Sequence, residues 1–430
     1  MTKFLGYIKT MDSALLAGML LVLTLFHTNY LHGQNCNPLA TGAGAASKTV
    51  QPCFFGLNIN KVTTPWPTSV GVEFGGYRTL SSQIEWSDIN VADGVYDWTR
   101  FDEWMANAEA GGQQVLYTFY HTPVWASAVP FGTCGPLASS DGGCFAPNDL
   151  NADGTGTDQH LKNFVTALME HVGPGKIKFI EVWNEPNITT EFDGTIAQLV
   201  RMAQDVRTIA KAHDPNIQIV SPAETGDGMN SLQMGYLDKF LAAGGGQFVD
   251  IIALHGYVGP HAEDVGTRIA NTQAVMARFS QSGKPVFVTE GGYGPASDGS
   301  DGPGWTVRHL LTQLGNGAER FFLFDFDATN LGILYDTTTG SLTANGIAYQ
   351  QVYDWLVGRS VSALTLDNAG TYRLSVTGVN GFVAQVIWNP STSVKVTPSA
   401  TFRQYRDLSG VVHAFSGSIV VSSDPILLQN

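Results

Sequence analysis

Short apolar runs alternate along this chain with longer stretches whose apolar residues recur at helical spacing. The runs at 54–59, 77–80, 115–119, 179–182, 217–221, 249–254, 285–290 and 320–326 are rich in β-branched and aromatic residues and read as buried strands. Between them, Leu161, Phe164, Val165, Leu168, Met169 and Val172 form one helical stripe. Ile196, Leu199, Val200, Ala203, Val206 and Ile209 form a second, closed by Asp214-Pro215. Further helices are predicted over 97–110, 232–243, 265–279, 307–314 and 344–356. Between the first two strands, Pro65 and Pro67 leave room for little more than a turn. Strict strand–helix alternation implies a parallel sheet. Eight such units suit a closed (β/α)₈ TIM barrel spanning 54–358. A doubly wound open sheet is the alternative, but no GxGxxG opens a helix after a strand.

From residue 359 to residue 430 the period changes. Runs at 372–376, 382–388, 394–396, 402–407 and 419–422 are separated by Gly, Asn, Pro and Ser, the pattern of a small C-terminal β-sandwich packed on the barrel. At the other end, Lys3 and Lys9 precede the apolar run 14–26, which is short for a membrane span and fits a signal-peptide core within residues 1–33. The alternative is a retained membrane anchor. Residues 34–53 then form a Gly/Ala/Ser-rich leader.

The chain has 430 residues, a formal charge of −14 and no basic run, which excludes a phosphate-backbone partner such as nucleic acid. Its four cysteines fit an exported, oxidised protein, secreted or periplasmic. Of the three connectivities, the local pairs Cys36–Cys53 and Cys134–Cys144 are favoured, the second stapling a Gly/Ser/Pro-rich loop. No CxxC spacing or His cluster points to a metal, and no cofactor is expected. Asp149-x-Asn151-x-Asp153-Gly154 matches the first half of a calcium loop, but His160 holds the twelfth position, so a solvated turn is the better reading.

The chemistry concentrates at two strand tips. Trp183-Asn184-Glu185-Pro186 closes the fourth strand with a carboxylate, and Thr289-Glu290-Gly291-Gly292 closes the seventh. In a barrel both tips open into one mouth. Two carboxylates flanking one bond are what glycoside hydrolysis needs. Glu181 shares the parity of Glu185 but lies ~13 Å deeper, among the interior layers, and is not the acid.

Trp183-Asn184-Glu185-Pro186, the second Glu after an apolar strand, and His255-x-Tyr257 between them resemble clan A glycoside hydrolases, nearest to families 39 and 5. The resemblance spans 54–358. It implies Glu185 as acid/base, Glu290 as nucleophile, Asn184 on the sugar 2-hydroxyl, and Tyr257 holding the nucleophile. Arg78 would keep that carboxylate ionised, and His255 and His121 would line the subsite. The clan often carries a Trp platform after the last strand. Here Phe322-Leu323-Phe324-Asp325-Phe326-Asp327 stands in its place, with Phe326 as the substitute platform and Asp325 or Asp327 as hydroxyl ligands. The expected protein is a retaining glycosidase acting on poly- or oligosaccharide. A non-catalytic carbohydrate-binding barrel and a transglycosylase are the rival readings. Asn187-Ile188-Thr189 is a glycosylation sequon, read as unused because a glycan there would block the mouth.

Overall fold

In the computed structural model, which describes residue 36 and residues 48–61, 64–135, 141–226, 232–292, 302–327 and 333–430, the eight apolar runs become eight parallel strands. They are β1 (Phe55–Asn58), β2 (Gly76–Arg78), β3 (Gln114–Phe119), β4 (Ile177–Val182), β5 (Gln218–Val220), β6 (Ile252–His255), β7 (Val286–Glu290) and β8 (Arg320–Leu323). Each pairs with its sequence neighbour from β1 to β5 and from β6 to β8, and β1 also pairs with β8. Only a single parallel bridge, Val220 to Ile251, joins β5 to β6 and closes the barrel. The segment 1–33 lies outside the described residues, and none of the described helices is long and apolar enough to cross a membrane.

Among the described residues, seven helices of eight or more residues alternate with the strands, besides the single turn Trp86–Ile89: α1 (Thr99–Gly111), α2 (Gln159–Val172), α3 (Ile196–His213), α4 (Gly235–Ala242), α5 (Asp264–Arg278), α6 (Pro303–Gly315) and α7 (Ala344–Leu356). Between β1 and β2 the described residues hold a short 3₁₀ turn, Pro67–Val70, that opens on a proline. Helix α3 begins at a reciprocal capping box of Thr195 and Gln198 and stops at Asp214, ahead of Pro215. Its stripe of Leu199, Met202, Ala203, Val206 and Ala210 is buried against the barrel wall.

The barrel interior is packed, not open. Leu116, Phe179, Val220, Ala253, Phe287 and Phe322 fill it, and the Arg320 guanidinium lies over the Phe179 and Phe287 rings at 4.7 and 5.4 Å. Gly56 makes room for this layer, since a Cβ there would meet Phe322 at 2.5 Å. With the lower interior filled by apolar side chains and Arg320, Glu185 and Glu290 lie at the opposite, C-terminal strand ends.

The C-terminal region is antiparallel: β9 (Ser360–Val361), β10 (Thr365–Leu366), β11 (Tyr372–Thr377), β12 (Val383–Trp388), β13 (Val394–Val396), β14 (Gln404–Arg406), β15 (Val412–Ala414), β16 (Ile419–Val421) and β17 (Ile426–Gln429). One sheet runs β9-β11-β12-β17-β14-β15 with β10 on β11, and β13 pairs with β16 apart from it. The sequence pattern missed β9, β10, β15 and β17. It also missed a strand in the leader, Lys48–Thr49, which pairs with β9 and so joins the C-terminal sheet from the far end of the chain. The region docks on the barrel through Glu263, which accepts from Trp388 Nε1 at 2.8 Å and meets Arg308 Nε at 3.0 Å.

Both favoured disulfides are formed, Cys36–Cys53 and Cys134–Cys144. The acidic loop at 149–158 is a turn that caps α2. Asp149 Oδ2 accepts from Thr157 Oγ1 at 2.8 Å and from Gln159 N at 2.5 Å.

Candidate active site

The two tips are shaped by the residues just beyond each strand. Pro186 has no N–H to continue the β4 ladder, and the chain leaves the sheet through residues in the left-handed region, Trp183 at φ 71° and Glu185 at φ 37°. Two bonds hold this bend: Ile188 N donates to Glu185 O at 2.9 Å, and Trp183 Nε1 donates to Glu191 O at 2.9 Å. Strain of this kind persists only where neighbours over-determine it. At the other tip, a register shift after Leu254 sets His255 opposite Glu290, and Gly256 N donates to Glu290 O at 2.6 Å. A Cβ on Gly256 would meet Val288 Cγ1 at 2.8 Å, so only glycine lets the chain pass close enough to bring Tyr257 back over the carboxylate.

These turns bring three side chains together. One polar atom each of Glu185, His255 and Glu290 lies within 4.8 Å of the others. His255 Nδ1 is 2.6 Å from Glu185 Oε1 and 3.4 Å from Glu290 Oε2. Tyr257 Oη donates to Glu290 Oε2 at 2.9 Å. Arg78 serves four acceptors: Glu290 Oε1 at 2.6 Å, Glu181 Oε2 at 2.7 Å, Asn184 Oδ1 at 3.0 Å and Asn58 Oδ1 at 3.3 Å. Thr118 Oγ1 adds a 2.7 Å bond to Glu181, which is wholly buried and is therefore the inner partner of the arginine.

Burial dominates the electrostatics. It pushes the Glu185 carboxyl up to about 7, against the opposing pull of Arg78 and Arg268. It also raises Glu290, while His255 and Arg78 pull that carboxyl back down. His255 is pushed down to about 4 by burial and is a neutral imidazole at pH 7. A 2.6 Å contact between a neutral imidazole nitrogen and a carboxyl oxygen requires one proton between them. Tyr257 is driven well above its ordinary range by burial and by the nearby carboxylates, so it stays a donor. Glu185, His255 and Glu290 are also, among the described residues, the one His/Cys/Asp/Glu set close enough to hold a metal ion. The positive charge at this spot comes from Arg78 itself.

Other expected ligands fall differently. Phe326 cannot be the sugar platform, because its ring is fully buried and stacks on Tyr335 at 5.6 Å. Strand β8 ends at Leu323, and beyond it Phe326 N bonds to Asn58 O, so strand alternation no longer predicts direction. Phe324 is the half-buried aromatic there, edge-on to Tyr257 at 6.5 Å. Asp325 is likewise corrected as a hydroxyl ligand. It has no exposed surface and accepts from Asn60 Nδ2. Asp327 holds the same loop through Asn60 N and Lys61 N, both at 2.9 Å. His121 leans on Tyr120 at 3.9 Å and faces Gly143 of the disulfide loop. Tyr120 is the member of that pair that feels Glu191 and Glu290.

Residues 144–314 match the family model described as Glycosyl hydrolase catalytic core. The matched stretch carries both strand-tip carboxylates, Glu185 and Glu290. No curated protein sequence matches the chain. Among solved structures, the chain resembles a family 39 glycoside hydrolase from the gut symbiont Bacteroides cellulosilyticus WH2, at 17% identity and TM-score 0.62 over 83% of this chain and 75% of that one. It is also similar to a glucosidase from Croceicoccus marinus, at 14% identity and TM-score 0.59 over 91% of this chain and 98% of the other. A GH30 endoxylanase from Clostridium papyrosolvens C71 aligns at 15% identity and TM-score 0.60, over 92% of this chain and all (100%) of its own. At these identities the likeness is one of fold. Two of these matches cover 91% and 92% of this chain.

Proposed function

We propose that the protein is an exported, retaining β-glycosidase that acts on poly- or oligosaccharide through Glu185 and Glu290. The observation that carries this is the closeness of the two carboxyls, one oxygen of each lying within 4.8 Å of the other. Retaining enzymes need about 5–5.5 Å between the pair, whereas inverting ones leave about 6.5–9.5 Å for a water. The different environments of the pair support distinct roles. Glu185, at about 7, holds a proton that it can give away near neutral pH. Glu290 is matched by Arg78 and Tyr257, the charge and donor that an attacking carboxylate requires.

In the first half-reaction a Glu290 oxygen bonds the anomeric carbon as the glycosidic C–O bond breaks, and the Glu185 proton passes to the departing oxygen. In the second, Glu185, now a carboxylate, takes a proton from water as that water attacks the same carbon and Glu290 leaves. Asn184 sits between the two, beside Arg78, where its amide meets the 2-hydroxyl. Phe324 supplies the exposed aromatic edge for the ring. Export accords with both disulfides and with the N-terminal apolar run.

Glu290→Gln should abolish turnover across a panel of aryl β-glycosides, xylan, mannan and β-glucan, and Glu185→Gln should abolish it on the polysaccharides, whose leaving groups need a proton. Retained polysaccharide turnover in either variant would sink the assignment. Oligosaccharide binding without any product by the unaltered chain would favour a binding barrel. Products lengthened by an added sugar acceptor would favour a transglycosylase.

A further inference from the structure

A third carboxylate reaches this site from the loop after β4. Glu191 is part-exposed, and its Oε2 accepts from Asn184 Nδ2 at 3.3 Å. The opposite end of the same amide, Oδ1, accepts from Arg78 Nη2 at 3.0 Å. An amide has two ends of nearly equal shape and opposite hydrogen-bonding sense, so its partners decide which way it faces. A guanidinium only donates and a carboxylate accepts. Arg78 and Glu191 together therefore specify one of the two orientations.

The loop that carries Glu191 is itself fixed to the strand tip. The Glu191 carbonyl accepts from Trp183 Nε1 and its N–H donates to Ile188 O, both at 2.9 Å. Phe192 packs on Trp183 with ring centroids 5.0 Å apart. The backbone around Glu191 is thus held by the residues that flank Asn184.

We infer that Glu191 is a positioning residue that holds the Asn184 amide with Nδ2 toward the sugar 2-hydroxyl. Nδ2 carries two hydrogens; Glu191 takes one and leaves the other for substrate. This rests on the proposed glycosidase reaction, in which the 2-hydroxyl contact strengthens in the transition state. An interaction made mainly in the transition state shows in kcat more than in KM. Without Glu191, Arg78 alone restrains the amide, and the side chain is free to swing away from the hydroxyl.

The test is a steady-state comparison on dinitrophenyl β-glycosides with and without the 2-hydroxyl, using the full chain. Glu191→Ala should lower kcat about tenfold on the hydroxylated substrate, equivalent to one hydrogen bond, with KM changed by less than about twofold. On the 2-deoxy analogue, where Asn184 has nothing to meet, the change should be under about twofold. Glu191→Gln, whose amide oxygen also accepts from Nδ2, should recover most of the loss. Glu191→Ala added to Asn184→Ala should cost nothing further on either substrate. Equal losses on both substrates would overturn the inference, as would no loss on the hydroxylated one. The underlying reading fails separately, through retained polysaccharide turnover in Glu185→Gln or Glu290→Gln, and neither variant enters this comparison.

Discussion

The tips of β4 and β7 end in the same residue type and are built in opposite ways. Glu185 is bent out of its strand by two left-handed residues and keeps 14% of its side chain exposed. Its nearest partner is a neutral imidazole. Glu290 remains the last residue of a regular strand, 5% exposed, and is gripped by an arginine and a tyrosine. One tip tolerates a proton; the other is furnished for charge. The contrast shows that identical side chains are assigned roles by burial and by the sign of their neighbours.

The largest effect should separate the two tips by leaving group. Glu290→Ala should lower kcat on the order of 10⁴-fold or more on every glycoside, because no leaving group replaces a nucleophile. Glu185→Ala should lose about 10²–10⁴-fold on sugar leaving groups, which need a proton, and far less on dinitrophenyl glycosides, which do not. The same leaving-group dependence in both variants would erase the distinction.

Stability should sharpen it. Arg78→Met strips the charge partner from Glu181 and Glu290 at once, and breaking buried pairs costs about 3–5 kcal/mol in denaturant unfolding. Glu185→Gln should shift unfolding by less than about 1 kcal/mol, since its carboxyl reaches the cleft. Tyr257→Phe should come next in size. It removes one hydrogen bond to a charged oxygen, worth roughly 1.5–3 kcal/mol, and should lower kcat about ten- to a hundredfold with little change in KM.

The smallest effect is in the pH profile. With Glu185 raised to about 7, its protonated form prevails below that pH, so kcat/KM should fall as pH rises through about 7. Glu185→Ala assayed on a dinitrophenyl glycoside should lose this basic limb. Persistence of the limb in that variant would place the titration on another group.

Much of the barrel was legible because buried parallel strands carry their own signature. Each of the eight runs became a strand, with boundaries shifted by a few residues. The C-terminal sheet was less legible, as in β15 and Lys48–Thr49. These are short, with the exposed Val412 and Thr49 among them, and such strands carry little apolar alternation. The platform expectation failed for a related reason. Phe322, Phe324 and Phe326 look equivalent in a run of alternating residues. Only the end of β8 at Leu323 and the docking of Phe326 on Tyr335 tell them apart.

Sequence alone determined the barrel, the placing of two glutamates at strand tips, and the resemblance to clan A glycoside hydrolases. These rest on local period and on short motifs, which are properties of neighbouring residues. Tertiary structure alone decided which groups meet. Arg78 lies 212 positions from Glu290 and 103 from Glu181, and no periodicity links such distances. Glu191 and Tyr120 sit in loops with no pattern to mark them. Their place beside Asn184 and Glu290 comes from loop closure and burial, which bring distant polar groups together and set their charges.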